Sequence, residues 1–290
     1  MSPFELVRLS TLMERTSGSP HVQIGLIDGP VLTHHPDLAG TAIRKLHDGG
    51  GTCSHTASAA CLHGTFIAGI LSAKRNSSAP AICPNCPLVV RPIFPETTSG
   101  SESMPSATPH ELAAAIQDCL DAGVRVINLS LALAHPSTKG DQALEESLNQ
   151  CARRGVLVVV AAGNQGTLGS SAITRHPWVI PVVACDLQGR PLNESNFGSS
   201  IGRCGLSAPG AGITSLGAAG QALTLGGTSV AVPFVTGAIA LLWSEFPTAN
   251  AAQIKLAITR AYQPRRASVV PPLLDAASAY KILLSASIRR

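Results

Sequence analysis

Aromatic side chains are scarce. Phe, Trp and Tyr make up 3% of the 290 residues, so Ala, Leu, Val and Ile must fill any core at close-packed density. Charge is scarce too: Asp, Glu, Lys and Arg are 13% of the chain, with a net charge of only +4. The basic residues form no block. Arg265-Arg266 and Arg289-Arg290 are isolated pairs that read as solvated ends, which argues against a nucleic-acid partner. The start, Met1-Ser2-Pro3-Phe4-Glu5-Leu6-Val7-Arg8, lacks a basic segment followed by an apolar stretch, so no secretory signal is visible. No apolar run is long enough to cross a bilayer without interruption. These absences predict a cytoplasmic protein, or a mature fragment, with no membrane partner. What is present is 45% hydrophobic residues in a chain long enough to bury a large core. We expect a single domain over 1–290, with a helical leader at 1–20 and a C-terminal extension at 262–290.

Period and punctuation predict alternating strands and helices. Apolar, β-branched runs at 22–27, 88–94, 124–130, 156–161 and 178–184 read as strands. Helical spacing marks 3–17, which Ser17-Gly18-Ser19-Pro20 stops, and 143–154. Further helices open at His63, Pro109 and the serine discussed next. The stretches 44–60 and 95–109 read as polar loops. Near-continuous apolar strands alternating with helices imply an α/β fold of three layers: a mostly parallel central sheet with helices on both faces.

Four short motifs carry chemistry. Gly227-Thr228-Ser229 hands a serine from a small-residue turn to an apolar helix. Its hydroxyl can be exposed there, and its N–H lies among unpaired helix N-terminal donors, an arrangement that suits a nucleophile. Asp28-Gly29-Pro30 ends an apolar strand, where open sheets place functional groups. His63-Gly64-Thr65 opens a helix, and Ala161-Ala162-Gly163-Asn164 closes a strand with an amide able to donate to negative charge. Each has a plainer reading as a helix cap, an Asx turn, an exposed histidine or a turn residue.

The set Asp28-Gly29, His63-Gly64-Thr65, Asn128-Leu129-Ser130-Leu131, Ala161-Ala162-Gly163-Asn164 and Gly227-Thr228-Ser229, in this order, resembles the subtilisin-like serine proteases, the subtilases. The resemblance implies that Ser229 attacks a scissile carbonyl, His63 moves its proton and Asp28 orients His63. It also implies that Asn164 and the Ser229 N–H form an oxyanion hole. Extended peptide would pair with Ser130-Leu131-Ala132 and with the loop around Ser99-Gly100-Ser101. The family commonly has Ser-Leu-Gly-Gly where this chain has Ser130-Leu131-Ala132-Leu133, so the S1 pocket should be narrowed or reshaped. Gly163 and Gln165 should border that pocket, with Gln165 and Gly166 at its base and no charge to select a charged residue. Many secreted subtilases carry a pro-segment, for which there is no room ahead of the Asp28 strand. Such a chain is expected to fold unaided or to have been trimmed.

Leu9-Ser10-Thr11-Leu12-Met13-Glu14-Arg15-Thr16-Ser17-Gly18 and Cys86-Pro87-Leu88-Val89-Val90-Arg91-Pro92-Ile93-Phe94 are similar to the protease domains of cyanobactin biosynthesis. That implies a peptide or precursor-peptide substrate, trimmed inside the cell. A general intracellular degradative subtilase, an inactive peptide-binding module and a macrocyclase are the rival readings. Macrocyclising members carry a helical lid between the catalytic Asp and His. The 35 residues here are too few for one, so hydrolysis is expected. No cofactor and no metal are expected. His35-Pro36-Asp37-Leu38 resembles a calcium-binding stretch, but the basic loop 74–80 lacks the partner ligands, which leaves Asp37 as a loop cap. Cys83-Pro84-Asn85-Cys86 has zinc-ligand spacing, but Cys53 and Cys61 are wrongly spaced to complete the site. One or two disulfides are the stronger expectation, with Cys119 and Cys151 as buried free thiols.

Overall fold

The computed structural model of the protein describes residues 1–46, 53–96, 107–131, 141–260 and 268–288. In chain order its helices are α1 (Pro3–Leu6), α2 (Ser10–Arg15), α3 (Ala59–Ser72), α4 (Pro109–Asp121), α5 (Gln142–Arg154), α6 (Ala172–Arg175), α7 (Ser199–Cys204), α8 (Thr228–Glu245), α9 (Ala251–Arg260) and α10 (Ala276–Ile288). Its strands are β1 (Ile24–Asp28), β2 (Ile43–Lys45), β3 (Leu88–Pro92), β4 (Val126–Leu129), β5 (Leu157–Ala161), β6 (Val179–Cys185), β7 (Leu206–Pro209), β8 (Ile213–Leu216) and β9 (Ala222–Leu225).

The first seven strands form one parallel sheet in the order β2-β3-β1-β4-β5-β6-β7, and β8 and β9 make a separate antiparallel pair. The expected three-layer α/β architecture is therefore present. Strand order steps from β1 outward to β3 and then returns to β4 on the other side of β1. That places the reversal, where open sheets leave a crevice, beside the C-terminal end of β1.

Alternation along β1 decides which layer Asp28 addresses. Ile24 and Leu26 pack in the larger core with α3 and α8, whereas Ile27 packs in the other core with α4 and α5. Successive side chains face opposite sides of a strand, so Asp28 shares the α3/α8 face. Helix α8 is apolar all round. It has the length and mean hydropathy (1.3 over 18 residues) of a membrane span, contrary to the reading that no run is long enough, yet 83% of its residues are buried between the sheet and its neighbouring helices. The capping residues match the helix ends: Thr108 and Glu111 form a reciprocal capping box on α4, Asp141 caps α5, and left-handed Gly155 ends α5.

Three sequence expectations need correction. The leader is two short helices, because Arg8 takes a left-handed φ of 54° between them. Its carbonyls at Met13 and Thr16 accept from the Arg75 guanidinium. The 44–60 loop holds the edge strand β2 at its start and the first turn of α3 at its end. The cap at 35–38 comes from the buried His35 Nδ1, which accepts from the Asp37 N–H at 3.1 Å. Cys53 and Cys61 form a disulfide, and Cys119 and Cys151 are unpaired and buried, which pushes both thiols up to about 12.

Candidate active site

Two glycines bring β1 and α3 into close approach. A Cβ on Gly29 would lie 1.9 Å from the Ala60 carbonyl oxygen, and one on Gly64 would lie 2.4 Å from the Gly29 oxygen, so no larger side chain fits at either position. Thr65 Oγ1 holds the same junction by accepting from the Leu32 N–H at 2.9 Å. The result is a His63 Nδ1 to Asp28 Oδ1 distance of 2.7 Å, with Asp28 fully buried and the His63 side chain 11% exposed. Asp28 Oδ1 also accepts from the Gly29 N–H at 2.6 Å. An ionised carboxylate can only accept, so the imidazole proton belongs on Nδ1 and Nε2 is left as an acceptor. Nε2 lies 3.1 Å from Ser229 Oγ, which can donate to it.

Burial is the largest influence on the His63 charge and disfavours the imidazolium. The Asp28 charge and its hydrogen bond together outweigh it, so the His63 pKa is raised above the ordinary 6.5.

The amide of Asn164 is fixed from one side. Its Oδ1 accepts from both the Thr228 N–H and the Thr228 hydroxyl, each at 2.9 Å. Two donors on one atom identify it as the oxygen, and Nδ2 is then free to donate elsewhere. Thr228 Oγ1 also accepts from the Gly163 N–H at 3.2 Å, which ties the 161–164 loop to the first turn of α8. Gly227 permits this approach. Its φ is +114°, and an added Cβ would be 3.0 Å from Asn164 Nδ2. The Ser229 N–H belongs to that same first turn, whose amides have no partner four residues back within the helix.

The structure thus brings together Asp28, His63, Ser229 and Asn164, drawn from β1, α3, α8 and the loop after β5. Of the expected peptide-binding residues, Ser130 and Leu131 follow β4 and are buried, and Gly163 and Gln165 flank Asn164. Ser99, Gly100, Ser101 and Ala132 lie outside the described residues. Two contributors went unread in the sequence. Thr228 was visible only as part of a motif. Asn196, in the loop between β6 and α7, reads as an ordinary turn residue. Asn196 is 6% exposed, and its side chain is spent on the loop at 162–167 that carries Asn164. Oδ1 accepts from the Gln165 and Thr167 N–H groups and the Thr167 hydroxyl, and Nδ2 donates to the Ala162 carbonyl and Gln165 Oε1.

Comparison with known proteins adds to this geometry. The Subtilase family matches residues 19–275. Among curated proteins, the chain is 31% identical over 237 residues to a thermostable alkaline protease of Halalkalibacterium halodurans, covering 79% of this chain and 59% of that one. It is 29% identical over 264 residues to subtilisin DY of Bacillus licheniformis, covering 86% of each. The chain thus spans under two thirds of the first relative and most of the second. Among solved structures, the prenylagaramide maturation protease PagA superposes with a TM-score of 0.84 at 27% identity, covering 95% of this chain and 98% of that one. The patellamide maturation protease PatA does so at 0.79 and 28%, covering 92% and 98%. The PatG macrocyclase domain shares the fold at 0.82 and 21% identity, covering 96% and 95%.

Proposed function

This chain belongs to the subtilase family, the subtilisin-like serine endopeptidases, and from that premise we propose that it hydrolyses peptide bonds through an acyl-enzyme and cleaves the leader from a ribosomally made precursor peptide. The observation that carries the chemistry is the continuous hydrogen-bonded line Ser229–His63–Asp28, at 3.1 and 2.7 Å, ending beside the free face of the Asn164 amide. In the first step Ser229 Oγ bonds to the scissile carbonyl carbon while its proton passes to His63 Nε2. The carbonyl electrons move to oxygen, where Asn164 Nδ2 and the Ser229 N–H donate to the developing charge. Asp28 holds the ring in the tautomer that can accept and stabilises the imidazolium. His63 then returns the proton to the leaving amine as the carbon–nitrogen bond breaks, and water repeats the sequence to release the acid.

Leader removal rests on the similarity to PagA and PatA, which are named as maturation proteases, and on the leader motif at 9–18. Hydrolysis is favoured over ring closure by what lies between Asp28 and His63. Among the described residues there, only a 3-10 turn (Pro36–Leu38), β2 and the first turn of α3 are ordered into elements. Asn164 and Gln165 are exposed, so water reaches the acyl carbon.

The test is fluorophosphonate labelling of one sample and, on separate unlabelled enzyme, incubation with a leader–core peptide read by mass spectrometry. Labelling at Ser229 that vanishes in Ser229→Ala, with a linear core product one water heavier than the corresponding ring, is the expected result. An unlabelled protein would overturn the nucleophile. A cyclic product would turn the reading toward a macrocyclase. Indiscriminate cleavage of unrelated peptides would turn it toward general degradation.

A further inference from the structure

Pro233 sits inside α8, four residues after Ser229. In an α-helix the carbonyl of Ser229 would accept from the N–H of residue 233, but proline has none, and its ring crowds that same carbonyl. The nucleophile's own peptide group is therefore deprived of its helical donor at the point where the reaction needs it still. A donor arrives from the sheet instead. Ser130 Oγ donates to the Ser229 carbonyl oxygen at 3.0 Å. Asn128 Nδ2 donates to Ser130 Oγ at 2.8 Å, and the Thr236 hydroxyl donates to Asn128 Oδ1 at 2.9 Å.

The three side chains form a one-way line from α8, through β4, back to the first turn of α8. Asn128 and Thr236 are fully buried and Ser130 is 3% exposed. Each hydrogen bond polarises the next, and water cannot readily substitute for any of them. Strand parity explains why Asn128 can take part. Val126 packs in the α3/α8 core and Ile127 in the other, so Asn128 faces α8.

We infer that Ser130, oriented by Asn128 and Thr236, is a positioning residue for the acylation step, its hydroxyl replacing the helical donor that Pro233 withholds from Ser229. The inference rests on the reading of Ser229 as nucleophile. It goes beyond that reading by giving the Ser130 side chain a task separate from any pairing of its backbone with substrate. By clamping the peptide group that follows Ser229, the line holds both the hydroxyl and the adjacent N–H in the geometry attack requires.

The second-order rate of fluorophosphonate labelling tests this. In that reaction the Ser229 Oγ–P bond forms, the P–F bond breaks, fluoride leaves and the hydroxyl proton goes to His63. Ser130→Ala should label about tenfold more slowly than wild type, the order expected for one lost buried hydrogen bond. Adding Pro233→Ala to Ser130→Ala gives residue 233 an N–H and should recover most of the lost rate, a rescue that a merely space-filling serine would not show. A Ser130→Ala protein that labels at the wild-type rate overturns the inference. So does a folded double variant as slow as the single one. Should Ser130→Ala fail to fold, Thr236→Val must label more slowly than Thr236→Ser, and equal rates overturn the inference. A wild-type protein that takes no label removes the nucleophile and this inference together. A labelled wild type matched by Ser130→Ala removes this inference alone.

Discussion

Asn196→Asp offers a sensitive test of how the loop carrying Asn164 is held. The replacement keeps size and shape, so the three donors on Oδ1 stay satisfied: the Gln165 and Thr167 N–H groups at 3.1 and 3.0 Å and the Thr167 hydroxyl at 3.0 Å. The damage is confined to the other end. Nδ2 now donates to the Ala162 carbonyl at 3.2 Å and to Gln165 Oε1 at 2.7 Å, and a carboxylate oxygen in its place faces both as an acceptor. The exposed Gln165 amide can turn and present its NH2. The Ala162 carbonyl cannot turn without moving the strand end that carries Asn164. One hydrogen bond is then lost at about 1 kcal/mol, and a buried oxygen–oxygen repulsion adds to it, for about 2–4 kcal/mol in all. In a domain of this size that lowers Tm by roughly 3–7 °C. Because the loop bears Asn164, the proposed oxyanion donor, a displacement of an ångström should also cut kcat by tenfold or more while KM changes little. Differential scanning calorimetry and steady-state cleavage of a chromogenic peptide read the two effects. A variant within a degree of wild type in Tm and equal to it in kcat would refute the reasoning.

Further outcomes are expected. Asn164→Ala should slow turnover by roughly a hundredfold or more with KM little changed, the size of effect (about 2.7–4 kcal/mol) known for this loss in subtilisin itself; an unchanged kcat would remove Asn164 from the oxyanion hole. Labelling of Ser229 should fall on the acid side with a midpoint above 6.5, because His63 must be neutral to accept a proton and Asp28 raises its pKa; in Asp28→Asn only burial remains, so the midpoint of the residual activity should move to lower pH, and an unmoved midpoint would contradict the assignment. The stability that His63 draws from Asp28 runs the opposite way: it is fully present below the unfolded pKa and is lost as pH rises through the raised folded value, so activity grows while that contribution fades. Reducing the Cys53–Cys61 bridge releases a short loop leading into α3 and should cost about 2 kcal/mol, read as a lower Tm in dithiothreitol; an identical Tm in wild type and Cys53→Ser under those conditions is expected, and a reductant effect that persists in Cys53→Ser would refute the bridge as its source.

Much of this architecture was legible in the chain because parallel strands buried on both faces leave dense β-branched runs. The runs at 24–28, 88–92 and 157–161 needed no tertiary information to find. The edge strand β2 escaped because three residues of mixed polarity carry no period, and their pairing depends wholly on β3. β7 and the β8–β9 hairpin were hidden by similar shortness. The split leader depends on one left-handed residue, Arg8, for which local sequence offers no sign. The same contrast runs through the site. Ser229, His63, Asp28 and Asn164 stand in short glycine-bearing motifs, since each sits where the backbone must turn sharply at the end of a strand or the start of a helix. Asn196 has no such signature, because its partners are 29 to 34 residues away, and although Asn128-Leu129-Ser130 stands in a motif, its links to Thr236 and to the Ser229 carbonyl span 108 and 99 residues.

The order and spacing of residues alone determined the fold class and the family and singled out the candidate reacting groups, because those follow from local period and from motifs a few residues long. The approach of an imidazole to a carboxylate at 2.7 Å, the direction in which the Asn164 amide points and the donor that replaces the missing N–H of Pro233 were decided only by tertiary structure. Each depends on which strand lies beside which and on which face a side chain takes, and the hydrogen bonds that settle those matters join positions the chain itself keeps far apart.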